Sequence, residues 1–179
     1  MSKFLAVKGR IVGSRYVNES IADQVLNAAD TYVNGSKIEV AGLLQPRASL
    51  RWVLAMTKTA AGVVAPLVNI RIGAAGLITD TARIIFNALP AQTAAADTAF
   101  LEVIAMVRDV DTSSILSAVA SLKHDLENTG FALRPTPTQV VDSAGLDLTI
   151  EDLMIGLSIH PGAAGVWTVK SVIAELINT

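Results

Sequence analysis

Only two imidazoles, His124 and His160, are available for proton transfer, and there is no cysteine to act as nucleophile or thiolate ligand. His124 stands in Lys123-His124-Asp125, where a neighbouring carboxylate could orient the ring as a general base. The plainer reading of that triplet is a polar strand end, and we adopt it. His160 precedes Pro161 and reads as a turn residue. Asp109-Val110-Asp111 opens like a calcium loop, but no carboxylate or carboxamide follows at the spacing an EF-hand requires. Asp80-Thr81 and Asp97-Thr98 each precede an apolar run, where an aspartate commonly closes a turn with its own side chain. The glycines match neither a phosphate-cradling loop nor a dinucleotide fingerprint. Asn18-Glu19-Ser20 and Asn34-Gly35-Ser36 fit the glycosylation sequon, which says little without a secretory signal. Aromatic residues make up 4% of the chain, too few for a base- or sugar-stacking platform. We therefore assign no catalytic residue, no cofactor and no metal ligand, and the chain reads as a non-enzyme.

What remains are cations suited to contacting a partner. Arg51, Arg71 and Arg83 point outward from predicted strands and suggest a polar stripe. Lys8, Arg10 and Arg15 lie in a basic, glycine-containing N-terminal stretch. These six form the candidate partner-binding set.

The overall balance fits a contact role. With 14 basic and 16 acidic residues the net charge is −2, without the positive field that nucleic-acid binding needs. Hydrophobic residues make up 51% and charged ones 17%, against about 25% charged in an ordinary soluble domain. Such a chain either enters a membrane or hides surface against neighbours. The longest uncharged run, between Asp152 and Lys170, is broken by His160-Pro161-Gly162, whereas a spanning helix needs about 20 apolar residues. The opening Met1 to Lys8 is too short in apolar residues for a signal peptide. Subunit burial is the expectation, with no membrane and no nucleic acid.

The elements that must position these residues are strands. Arg51 to Thr59 alternates with Trp52, Leu54 and Met56 on one face. Val68 to Ile72 places Val68, Ile70 and Ile72 inward, and Asn69 and Arg71 outward. Thr81 to Leu89 turns Ile84 and Phe86 in, Arg83 and Asn87 out. Ala99 to Arg108 is apolar on both faces, which predicts burial on both. Ser114 to His124, Leu153 to Ile159 and Val166 to Ile177 complete the set, the last read as strand from its β-branched residues. Turns fall at Ala60 to Gly62, Gly73 to Gly76 and Pro161 to Gly165, and longer loops at Pro90 to Asp97 and Arg134 to Gly145. Glu19 to Ala29 has a weak helical pattern with Ser20 as N-cap, and Asn34-Gly35 marks a turn. The expected architecture is all-β, an antiparallel jelly-roll β-sandwich over residues 31–179 preceded by an extended arm, residues 1–30.

From about Thr31 onward the chain resembles a family of jelly-roll virion structural proteins of tailed bacteriophages. The residues that carry this are Leu50-Arg51-Trp52, Met56 to Gly62, Val68 to Gly73, Thr79 to Ala82 and Gln92 to Thr98. Leu122 to Leu126, Thr129-Gly130-Phe131, Val166 to Val169 and Ala174 to Leu176 continue the order. The resemblance implies a capsid cement (decoration) protein, or alternatively a receptor-binding or fibre domain. It implies homodimers or homotrimers, the major capsid protein as partner, synthesis in the host cytoplasm and residence on the capsid surface. It brings no catalytic residues.

Overall fold

In the computed structural model, residues 15–126, 128–133 and 136–178 are described. They form twelve strands and, among the described residues, no helix, so none that could cross a membrane. The strands are β1 (Arg15–Ser20), β2 (Gln24–Leu26), β3 (Thr31–Tyr32), β4 (Ile38–Glu39), β5 (Ser49–Lys58) and β6 (Leu67–Gly73). They continue as β7 (Thr81–Phe86), β8 (Asp97–Val107), β9 (Leu116–His124), β10 (Thr138–Asp142), β11 (Met154–His160) and β12 (Trp167–Ile177).

Two antiparallel sheets face each other across one core, a β-sandwich. The seven-stranded sheet runs β1-β12-β5-β8-β9-β10, with β2 continuing the β1 edge along β12. The five-stranded sheet runs β3-β11-β6-β7, with β4 also on β11. Inward residues of β5 (Leu50, Trp52, Leu54, Met56) meet those of β6 and β11, as the alternation required. Two indoles anchor this core through their only polar atom: Trp52 Nε1 donates to the Ser36 carbonyl at 2.7 Å, and Trp167 Nε1 to Gln92 Oε1 at 2.8 Å. Phe131 meets Trp167 edge-on, ring centroids 4.8 Å apart.

Several expectations need correction. Glu19 to Ala29 is not helical: β1 runs through Ser20 and β2 follows, both hydrogen-bonded to β12. On that stretch Ile21 and Val25 are exposed and only Leu26 is buried, so the apparent helical stripe faces solvent. Residues 15–30 of the expected arm thus carry two strands of the sandwich, while residues 1–14 lie outside the described residues. The loop expected from Arg134 to Gly145 contains β10, paired with β9. Asn69 points outward as expected but is 4% exposed, because Asp30 and Ser158 cover it. Within the chain, β8 is buried on one face only: Phe100 and Met106 on the other are 59% and 46% exposed.

The strand at Val166 to Ile177 is present, with a bulge between Val169 and Ser171. The bulge switches which parity faces inward, from Trp167 and Val169 to Val172, Ala174 and Leu176.

Candidate functional site

The six candidate cations do not converge. Lys8 and Arg10 lie outside the described residues, as does the side chain of Arg15, whose backbone pairs with Ile177. Arg51 lies on the outer face of the seven-stranded sheet, whereas Arg71 and Arg83 belong to the five-stranded one. Arg83 occupies the bulge that shifts the β6–β7 register, where Ile70 faces Ile84 but Arg71 faces Ala82; it is exposed.

Arg71 is committed within the chain. Its Nη2 donates to Asp30 Oδ2, its Nη1 to the Asp80 carbonyl, and its Nε to Ser158 Oγ at 2.7 Å. Asp80 in turn closes the turn after β6, accepting from the amides of Ala75, Gly76 and Leu77. Tyr32 lies across Gly156, where an added Cβ would fall 1.9 Å from the phenol oxygen. Burial, then the nearby Asp80 charge, push the Tyr32 phenol up to about 12, and Arg71 opposes them. Because the folded value exceeds the ordinary 10, this group's contribution to stability is complete below pH 10 and is lost as pH rises through 12. Tyr32→Phe is expected to flatten that alkaline loss in unfolding titrations and to remove the late step in tyrosinate absorbance. An unchanged alkaline profile would contradict the assignment. In the same cluster Asp30 Oδ1 and Asn69 Oδ1, both buried, accept no hydrogen bond from among the described residues.

At one end of the sandwich lies a buried polar cluster. The register sets Lys58 of β5 opposite Asp97 of β8, and Ala99 opposite His124 of β9. His124 Nδ1 donates to Asp97 Oδ2 at 2.8 Å, and neither side chain has exposed surface. Asp97 also accepts from the amides of Thr98, Leu126 and Phe131. Lys58 Nζ reaches the carbonyls of Thr59, Ala61, Thr93 and Ala95 at 2.6–3.3 Å. Burial pushes the Lys58 ammonium pKa down, and Asp97 opposes the shift. The carboxylate beside His124 is thus Asp97, far away in sequence, not the adjacent Asp125. With both side chains at 0% exposure, this pair ties the start of β8 to the end of β9 and to the backbone at Phe131. The acidic loop behaves similarly: Asp111 Oδ1 accepts from the Ser113 amide and lies 3.3 Å from Ser114 Oγ. Among the described residues, no three metal-binding side chains gather.

Much of the outer face of the seven-stranded sheet is exposed, although Glu175 within it is only 4% exposed. One register row crosses it as Val17, Glu175, Arg51, Ile104, Val119 and Val140. The next holds Glu19, Ile173, Val53, Glu102, Ser121 and Thr138. Of these and the flanking rows, Val17, Phe100, Met106, Val140 and Ile173 are 43–71% exposed. In their midst Arg51 Nε lies 2.7 Å from Glu102 Oε1, and Nη1 lies 3.6 Å from Glu175 Oε2. A depression of about 460 Å³ at the Phe100 end is lined by Ala55, Thr57, Phe100, Lys123 and Lys170, among others. Sequence reading found the apolar outer parity of β8 but not Phe100, whose position beside Lys123 follows only from the β8–β9 register.

No protein-family model matches the chain, and no curated protein sequence does. Among solved structures, a protein of unknown function from Shewanella oneidensis MR-1 is similar over 96% of this chain and 90% of its own, with 9% identity and a TM-score of 0.43. A lectin from Bauhinia forficata in complex with GalNAc is similar over 96% of this chain and 95% of its own, with 14% identity and a TM-score of 0.36. Neither likeness carries an argument about what this chain does.

Proposed function

We propose that the chain is a bacteriophage virion structural protein, a capsid cement protein of jelly-roll type that binds the shell of major capsid protein and stabilises it through oligomeric contacts. The observation that carries this reading is the division of labour in the surface chemistry. The buried ionisable groups Lys58, Asp97 and His124 are occupied in holding loops, while Val17, Phe100, Met106, Val140 and Ile173 lie 43–71% exposed on one sheet face. A protein that works by contact needs such a face. The low charge and the ordered resemblance described above point the same way. Cementing would act by mass action and avidity: each contact is modest, but an oligomer engages several capsomers together.

The second reading, a receptor-binding or fibre domain, is the alternative that the resemblance described above carries with it. Copy number separates the two. Quantitative mass spectrometry of purified particles, scaled to the major capsid protein, is expected to find copies in proportion to the shell. A few copies per particle would favour the fibre reading, and complete absence would remove the virion assignment.

A further inference from the structure

We propose that the outer face of the seven-stranded sheet is the seat of a two-fold homodimer in which two copies pack back to back. This deepens the assembly reading above and rests on it for its biological setting, but the contact itself is argued from the face.

Its size is the first argument. Five spacings of about 4.8 Å between six strand positions, multiplied by the ten residues of β5 at about 3.4 Å each, give a face on the order of 800 Å². That is the share each partner contributes to a standard interface, about 800 Å². Stable pairing therefore needs no surface beyond this one.

Charge selects the occupant. At the centre the guanidinium of Arg51 is already paired within the chain, flanked by Glu102 and Glu175. A strongly basic or acidic partner would find little to pair with there. A second copy brings a face whose central cation is likewise paired within its own chain, and a net charge of −2 per chain repels it only weakly.

The register also suits an isologous contact, in which one patch meets itself. An axis parallel to the strands and lying between β5 and β8 exchanges the two halves of the sheet. In the central row it sets Val17 of one copy over Val140 of the other, and Ile104 against the aliphatic stem of Arg51. The apolar side chains at both margins of the row, 47% and 71% exposed, are thereby covered by each other. The natural twist of each sheet would bring the pair together at about −30°, the aligned packing of sandwich sheets.

Sedimentation equilibrium on the full chain tests this. The wild type is expected to dimerise at micromolar concentration. Met106→Glu and Phe100→Glu, each at a site already about half exposed, are expected to weaken it about 30-fold or more, as loss of a central contact residue does. Ile85→Glu, on the outer face of the five-stranded sheet, serves as the control and is expected to leave the dimer unchanged. Circular dichroism confirms that each variant remains β-folded. A monomeric or trimeric wild type, or a dimer indifferent to both face substitutions, overturns the proposal. Purified protein suffices, so a monomer that is nonetheless abundant in particles would sink the dimer and spare the virion reading. A dimer absent from particles would do the reverse.

Discussion

Replacing Asp97 with alanine is expected to destabilise the fold by about 3–5 kcal/mol, the scale of removing a buried carboxylate that accepts several hydrogen bonds. The size follows from how many groups share this carboxylate. Oδ1 takes the amides of Thr98 and Leu126, and Oδ2 takes the Phe131 amide and His124 Nδ1. Alanine would leave buried donors from three segments without that acceptor. The loop is packed onto this carboxylate at Gly130, where φ is +76° and an added Cβ would lie 2.0 Å from Oδ2. Asp97→Asn keeps the shape but turns an amide toward donors, and is expected to cost about 1–3 kcal/mol. Urea unfolding followed by tryptophan fluorescence is the measurement. Trp167 packs on Phe131, whose amide Asp97 holds, so its emission reports the site directly. A loss for Asp97→Ala below about 1 kcal/mol, the range of an exposed pair, would refute the account.

Lys58→Met is expected to be the second costly change, at about 2–4 kcal/mol. Methionine retains the length and apolar stem of the side chain, so packing within β5 is largely kept. It removes the ammonium that ties the β5–β6 connection (Thr59, Ala61) to the β7–β8 connection (Thr93, Ala95). Lys58 is 3% exposed, so water has poor access to replace those bonds. Because Lys58 faces Asp97 across the β5–β8 pair, the double variant should lose less than the sum of the single losses. Additive losses would show that the two residues act independently, and a neutral Lys58→Met would show that the loop carbonyls find other donors.

Much of the sandwich was legible because strand alternation is a local signal. Trp52, Leu54 and Met56, like Ile84 and Phe86, fall every second residue and all are buried. Legibility failed where the period breaks or the core hardly participates. The bulge in β12 spaces its inward residues two, then three, then two apart, which blurs strand into helix when read along the chain. β10 is an edge strand without a fully buried residue, and Val140 is 71% exposed, so no apolar period marks it. β1 and β2 gain order from β12, more than a hundred residues away, and nothing local announces that partner.

The site followed the same rule. The turn-closing roles of Asp80 and Asp97 are local and could be anticipated from Asp-Thr before an apolar run. That Asp97 also meets His124 depends on register across β8 and β9 and could not. The outward arginines were placed on the right faces of their strands. Which sheet each occupies, and which carboxylates wait there, is decided by topology alone.

The strand order also dictates when this protein can fold during its synthesis. Among the described residues, β1 and β2 pair only with β12, and β3 and β4 only with β11. These four strands therefore wait, unpaired, until β11 and β12 have been made. The central strand β5 can find β8 earlier, but its other neighbour is again β12. So many distant pairings place folding in the slow, millisecond-to-second regime. The closing step inserts β12 between β1 and β5, so that one late strand converts a set of exposed edges into a finished sheet.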